Sequence, residues 1–158
     1  MITWEAFAET RPDLAEAGKG LLYQFGVGLA FLATTRADGA PRVHPMCPVL
    51  TNEGLYAFIV PSPKRNDLHR DGRYALHSFP ADNNEDAFSL AGRADQVTDR
   101  ALVEALAHRY AEEREIREPP AGLGTWEVFE FRIGSCLLTR TTKHGDEDPQ
   151  HTTWHAPT

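Results

Sequence analysis

Asp38-Gly39 sits between two runs rich in apolar and β-branched residues, 27–35 and 42–50. Asp-Gly in that setting is a strong hairpin signal, because a tight two-residue turn needs positive φ and glycine adopts it at no steric cost. The pair therefore commits the middle of the chain to antiparallel sheet. Further strand-like runs follow. Asn52-Glu53-Gly54 predicts a second turn and residues 55–60 a third strand, together a β-meander. Residues 74–79 form a fourth strand and 87–97 a fifth. Gly92 within the fifth marks a bulge or a close backbone approach. Residues 126–139 make a long sixth strand.

Helices are few and peripheral. Thr3 is a plausible N-cap, with Trp4, Phe7 and Ala8 on one helical face. Pro12 starts a second helix carrying Leu14, Ala15 and Ala17, which Gly18 and Gly20 interrupt, so residues 1–25 read as a helical lead-in. Pro61-Ser62-Pro63 stops the sheet, and residues 64–70 read as a short helix. Asp99 can cap a helix with a stripe of Leu102, Val103, Leu106 and Tyr110, ending near Glu118-Pro119-Pro120. Residues 141–158 read as a polar, His-rich, extended tail. With no repeat and no linker, residues 1–158 form a single domain. Six mostly antiparallel strands with peripheral helices predict a small, mainly β barrel. The chain has no βαβ pattern, G-x-G-x-x-G or P-loop signature, which excludes the common nucleotide folds.

The 158 residues suffice for one domain with a real core and no disulfide staple. Sixteen Lys and Arg against 23 Asp and Glu give a net charge of −7 with no basic block, so nucleic acid is not an expected partner. Cys47 and Cys136 lie in apolar runs and read as small buried hydrophobes. The start of the sequence does not resemble a signal peptide, and the longest apolar region, 26–33, is too short to span a bilayer. The expectation is a soluble cytoplasmic protein. His144, Asp146, Glu147, Asp148, His151 and His155 are metal-capable, but the nearby prolines and threonines favour a polar tail over a metal site.

The densest chemistry lies at Ser62-Pro63-Lys64-Arg65, a hydroxyl and two cations at a strand end where a helix begins. Helix-start amides and lysine together make an anion site. Arg42-Val43-His44-Pro45 lies on a neighbouring strand. Arg42 could clamp a phosphate, and Pro45 suggests an edge or a place where a ligand replaces ladder bonds.

Taken in order, the Asp-Gly turn, Pro-Arg-Val-His-Pro, Ser62-x-Lys64, Leu68, Asp71-x-Arg73, Ala75-Leu76 and Gly92-x-Ala94 resemble the pyridoxamine 5′-phosphate oxidase-related family of flavin-binding split barrels. The similarity covers roughly residues 27–97. It implies a six-stranded antiparallel split β-barrel of the FMN-binding type. The resemblance further implies that Arg42, Ser62 and Lys64, with Arg65 beside them, hold the FMN phosphate. Backbone at Val43, His44 and Pro45 would lie along the isoalloxazine ring, at a homodimer interface. Pro63 replaces the middle arginine of the family's Ser-Arg-Lys, and Ala87 stands where the oxidases often place a flavin-contacting glutamine. A deazaflavin coenzyme is therefore an alternative cofactor. The C-terminal Arg-x-His that grips pyridoxal phosphate is not reproduced. The expected function is a flavin-dependent oxidoreductase of unassigned small-molecule substrate, for which vitamin B6 is not the default, with His44 as the candidate for proton transfer. The alternatives are a non-catalytic flavin carrier, a deazaflavin-dependent reductase and a haem-binding split barrel using one of the seven histidines.

Overall fold

The Asp38-Gly39 turn closes the hairpin as its chemistry requires. In the computed structural model, which describes residues 1–116 and 123–157, Gly39 adopts φ +84° and the Asp38 carboxylate accepts the Ala40 amide. The turn joins β1 (Ala30–Thr35) to β2 (Pro41–Met46), paired antiparallel with Thr35 opposite Pro41.

The returning strand departs from expectation. It breaks at Cys47, and β3 (Pro48–Leu50) leaves β1 to pair with β4 (Leu55–Ile59). β4 in turn pairs with β7 (Glu127–Arg140), not with β2, so the meander is replaced by two separate hairpins. β5 (Arg73–Ser78) and β6 (Ala87–Val97) complete a sheet with the order β2-β1-β5-β6-β7-β4-β3. The two ends of this path are consecutive in the chain, with Cys47 as their only spacer. The barrel is thus closed by one covalent link and remains split between β2 and β3.

Two further expectations are corrected. The tail contributes β8 (Gln150–His155), which pairs with β7, so the described residues form eight strands and not six. Trp154 anchors β8, its ring centroid 5.0 Å from that of Phe7. Helix α2 (Pro12–Leu22) also runs unbroken through Gly18 and Gly20. A Cβ at Gly18 would come within 2.3 Å of the Phe88 ring, so glycine there lets α2 lie close on β6. That packing outweighs a helix-propensity cost of about 1 kcal/mol.

Thr3 caps α1 (Trp4–Thr10) through the Ala6 amide, and α1 buries Trp4 and Phe7. Inside the barrel Leu32, Leu76, Phe88, Leu90, Phe131 and Ile133 form the main core with the lead-in helices. A second cluster, Val49, Tyr56, Leu106 and Val128, lies beneath α4 (Arg100–Glu113), which Asp99 caps. α4 ends at Glu113, and the proposed stop at 118–120 lies outside the described residues.

Gly92 has the role its position suggested. The β6–β7 register shifts between Ala91 and Gly92, and a Cβ at Gly92 would lie 1.9 Å from the Arg132 carbonyl oxygen. The obstacle is backbone, which cannot swing aside. Gly92→Ala is expected to destabilise the protein by about 3 kcal/mol, the upper end of overpacking costs. A urea midpoint unchanged from wild type would show that the sheet accommodates the methyl group.

Candidate functional site

The split edge and the start of α3 (Pro63–Arg70) meet at one end of the barrel. β2 is an edge strand with β1 as its sheet partner, and its burial alternates along the strand. Arg42 and His44 lie opposite Thr34 and Leu32, on the core-facing rows, and both are half-buried. Pro41, Val43 and Pro45 lie on the outer face, with Val43 60% exposed.

Backbone groups pointing to the free edge recur at every second residue. Lys64 Nζ donates to the Pro45 carbonyl at 3.5 Å, which assigns the edge parity to residues 41, 43 and 45. Prolines are tolerated at the two outer positions because no ladder bond is lost there. Val43 is left with an edge-facing amide between them.

Arg42 is held from beneath by Asp67, which is 3% exposed. Arg42 Nε donates to Asp67 Oδ2 at 2.7 Å, Thr34 Oγ1 donates to the same oxygen at 2.9 Å, and Arg70 Nη1 donates to Oδ1 at 3.2 Å. Arg70 also donates to the Thr35 carbonyl. The Nε bond fixes the guanidinium plane and leaves its Nη edge for a ligand. A cavity of about 330 Å³ opens at this point, lined by Arg36, Arg42 and Arg70, by the carboxylates Asp38 and Asp67 that pair with them, and by Asn66. Burial pushes the Asp67 carboxyl up, but the bonds from Arg42, Thr34 and Arg70 outweigh it and hold it below the ordinary carboxylate range.

A carboxyl whose folded pKa is depressed stabilises the fold fully above its unfolded value, about 4, and loses that contribution as pH falls through the folded value. Part of the acid destabilisation that sets in below about pH 4 should therefore vanish in Asp67→Asn. Circular dichroism during acid titration tests this, and parallel curves for the two proteins would exclude Asp67 as the source.

α3 begins with an open first turn. Ser62 is its N-cap, yet its hydroxyl turns back to the Val60 carbonyl at 2.8 Å and makes no capping bond. The amides of Arg65 and Asn66 reach the Ser62 carbonyl, and Pro63 has no N–H. Lys64 is half-buried, has no carboxylate partner among the described residues, and burial pulls its ammonium below the usual lysine value. Arg65 donates to the Thr125 carbonyl at 2.8 Å and lies 3.7 Å from Glu127, which ties α3 to β7. Arg42 and Lys64 thus flank the free edge of β2 from opposite ends. Their contact points, residues 42 and 45, are about 10 Å apart along the strand.

Cys47 and Cys136 both carry free thiols. Cys136 is buried, which pushes its thiol up to about 12. Cys47 is half-buried at the seam and does not belong to the core.

The donor set fits a ligand that is anionic at one end and flat along its length. Arg42 presents a rigid fork, Lys64 an ammonium lacking a counter-charge, and the edge between them an amide with prolines on either side. The sequence pointed to Arg42 and Lys64. It gave no role to Asp67, which lies 25 residues from Arg42, or to Phe58 and Tyr110, and it favoured a core or interface place for Trp126, whereas all three aromatics line a hollow beside Lys64.

An antiparallel barrel open along one edge, with a cationic helix start against that edge, defines a split β-barrel. The chain belongs to the pyridoxamine 5′-phosphate oxidase family, whose model matches residues 25–136. No curated protein matches it. Several solved structures share the fold. A Clostridium acetobutylicum protein related to general stress protein 26 of B. subtilis (pyridoxinephosphate oxidase family) is 18% identical, with 96% of this chain and 95% of that one covered and a TM-score of 0.63. A haem binding protein from Mycobacterium smegmatis is 15% identical at TM-score 0.63, with 87% of this chain aligned to 57% of that longer one. An F420 reductase is 24% identical at TM-score 0.56, covering 68% of this chain and 87% of that one. Among the described residues no helix is long and apolar enough to cross a membrane.

Proposed function

We infer that the protein is an oxidoreductase that binds FMN along the free edge of β2. The observation that carries this reading is the buried Asp67 clamp, which presents Arg42 at a cavity mouth against the uncapped start of α3. Arg42 and the Ser62 end of α3 would hold the phosphate, with Arg65 bracing that end of the helix against β7. The backbone at Val43, His44 and Pro45 would support the ring, and Lys64, which the resemblance assigned to the phosphate, reaches the Pro45 carbonyl and would stand at the ring end instead. A bound flavin supplies the two-electron chemistry, and the chain supplies anchoring, orientation and a pocket. A cation beside the ring favours its reduced, anionic state. His44 is half-buried at the same edge and is the candidate for proton transfer at neutral pH.

The outer sheet face supports a homodimer. The registers place Val43, Ala33, Ala75, Ala91 and Ser135 side by side in one row across five strands. This flat band of small side chains continues from the cofactor edge, so a second copy packed on it would cover the exposed side of that edge.

FMN titration of the purified protein, followed by quenching of flavin fluorescence, tests the reading. Saturable one-to-one binding is expected, with a dimer in light scattering and bleaching of bound flavin by an anaerobic donor. Binding without reduction by any donor would make the protein a flavin carrier. Failure to bind FMN, with uptake of a deazaflavin coenzyme in its place, would transfer the site to the cofactor that the F420 reductase neighbour points to.

A further inference from the structure

Beyond Pro45 the edge leads into a hollow of about 140 Å³. Three aromatic rings wall it. Phe58 comes from β4, Tyr110 from α4, and Trp126 from the residue before β7. Their centroids are 5.6 Å apart for Phe58–Tyr110, 6.4 Å for Phe58–Trp126 and 6.3 Å for Tyr110–Trp126. Arg114 covers the Tyr110 ring at 4.0 Å and backs that wall. Lys64 also lines the hollow, together with Cys47.

Two properties narrow the occupant. The first is size. An apolar cavity of about 150 Å³ accommodates one benzene ring, and a fused three-ring system is far too large for this hollow. The second is charge. Lys64 is half-buried, its one hydrogen-bond partner among the described residues is the Pro45 carbonyl at 3.5 Å, and an ammonium has three N–H donors, so it can serve the cofactor edge and a second ligand together. The three rings already meet one another, so a guest rests against their open side, where a flat aromatic ring makes edge-to-face contact that a saturated ring cannot.

We propose that this hollow is the substrate subsite, and that it takes a single-ring aromatic carboxylate, with the ring against the open side of Phe58, Tyr110 and Trp126 and the carboxylate on Lys64. The proposal depends on the flavin reading for its place in a reaction but not for the binding itself.

The test uses the full chain without flavin and benzoate as the probe, read by tryptophan fluorescence and ligand-observed NMR. Benzoate should bind saturably, and cyclohexanecarboxylate about tenfold more weakly. Lys64→Met keeps the stem and removes the charge, so it should weaken benzoate about tenfold, the least expected for a lost charge-assisted bond. Trp126→Leu should do the same in the NMR measurement, with circular dichroism showing that both variants are folded. Equal affinity for the two acids, or no effect of Lys64→Met, overturns the proposal. Exclusion of benzoate by saturating FMN also overturns it, because the hollow would then belong to the cofactor. Stronger binding of pyridoxal 5′-phosphate than of benzoate overturns the carboxylate class. Since benzoate binding is measured without flavin, a protein that takes benzoate but no FMN would refute the cofactor assignment and leave the subsite standing.

Discussion

Replacing Arg42 and Lys64 together by alanine is expected to weaken FMN binding by about 3–6 kcal/mol, from two charge-assisted hydrogen bonds at about 1.5–3 kcal/mol each. That is a loss of between about a hundredfold and ten thousandfold. The single variants should separate the two ends of the site. Arg42→Ala should reduce affinity for FMN and leave riboflavin, which lacks the phosphate, nearly unchanged. Lys64→Ala should affect both ligands, since its ammonium sits at the Pro45 end. The Arg42 variant leaves Asp67 bonded to Thr34 and Arg70, so the carboxylate is not stranded and the fold should persist. An FMN dissociation constant unchanged in the double variant would show that the anion site lies elsewhere.

The second large effect concerns the core. Phe131 is fully buried on β7, and its ring meets Tyr74 edge-on at 4.9 Å. Phe131→Ala should cost about 3–5 kcal/mol, from lost burial and from the cavity left behind. In a domain of this size that lowers the melting temperature by roughly 10 °C. The Tyr74 hydroxyl beside it is buried with no hydrogen-bond partner among the described residues, so a water entering the new space would soften the loss. Leu137 on the same strand is 37% exposed, and Leu137→Ala should cost less than about 1 kcal/mol. Similar urea unfolding midpoints for the two variants would refute this placement of the core.

Local chemistry was readable in the sequence wherever neighbours in the chain decide the outcome. The Asp-Gly turn, the Thr3 and Asp99 caps, Pro12 at the start of α2 and the bulge glycine all depend on a few adjacent residues. β6 spans the predicted residues 87–97 without change. The misses depend on distant partners. Gly18 is tolerated in α2 because of Phe88, seventy positions away. β8 is a polar strand whose one substantial apolar anchor, Trp154, needs Phe7 from the opposite terminus. The break at Cys47 follows from how the sheet curls to meet itself, which no window of residues encodes. The same holds for the site. Arg42 and Lys64 were visible as charges in a suggestive order. Their contrasting situations, one braced by a buried carboxylate and the other lacking a counter-charge beside aromatic rings, depend on side chains from four separate elements.

The closure through Cys47 has a consequence for dynamics. The strands β1, β5, β6, β7 and β4 each have a neighbour on both sides, but along the seam the Val43 edge faces open space. Amide hydrogen exchange should therefore be fast at Val43 in the free protein, while core strands such as β6 exchange only through global opening. A ligand lying on that edge would act as a missing strand. Its arrival would slow exchange at the seam, so protection of the Val43 amide would report occupancy of the edge.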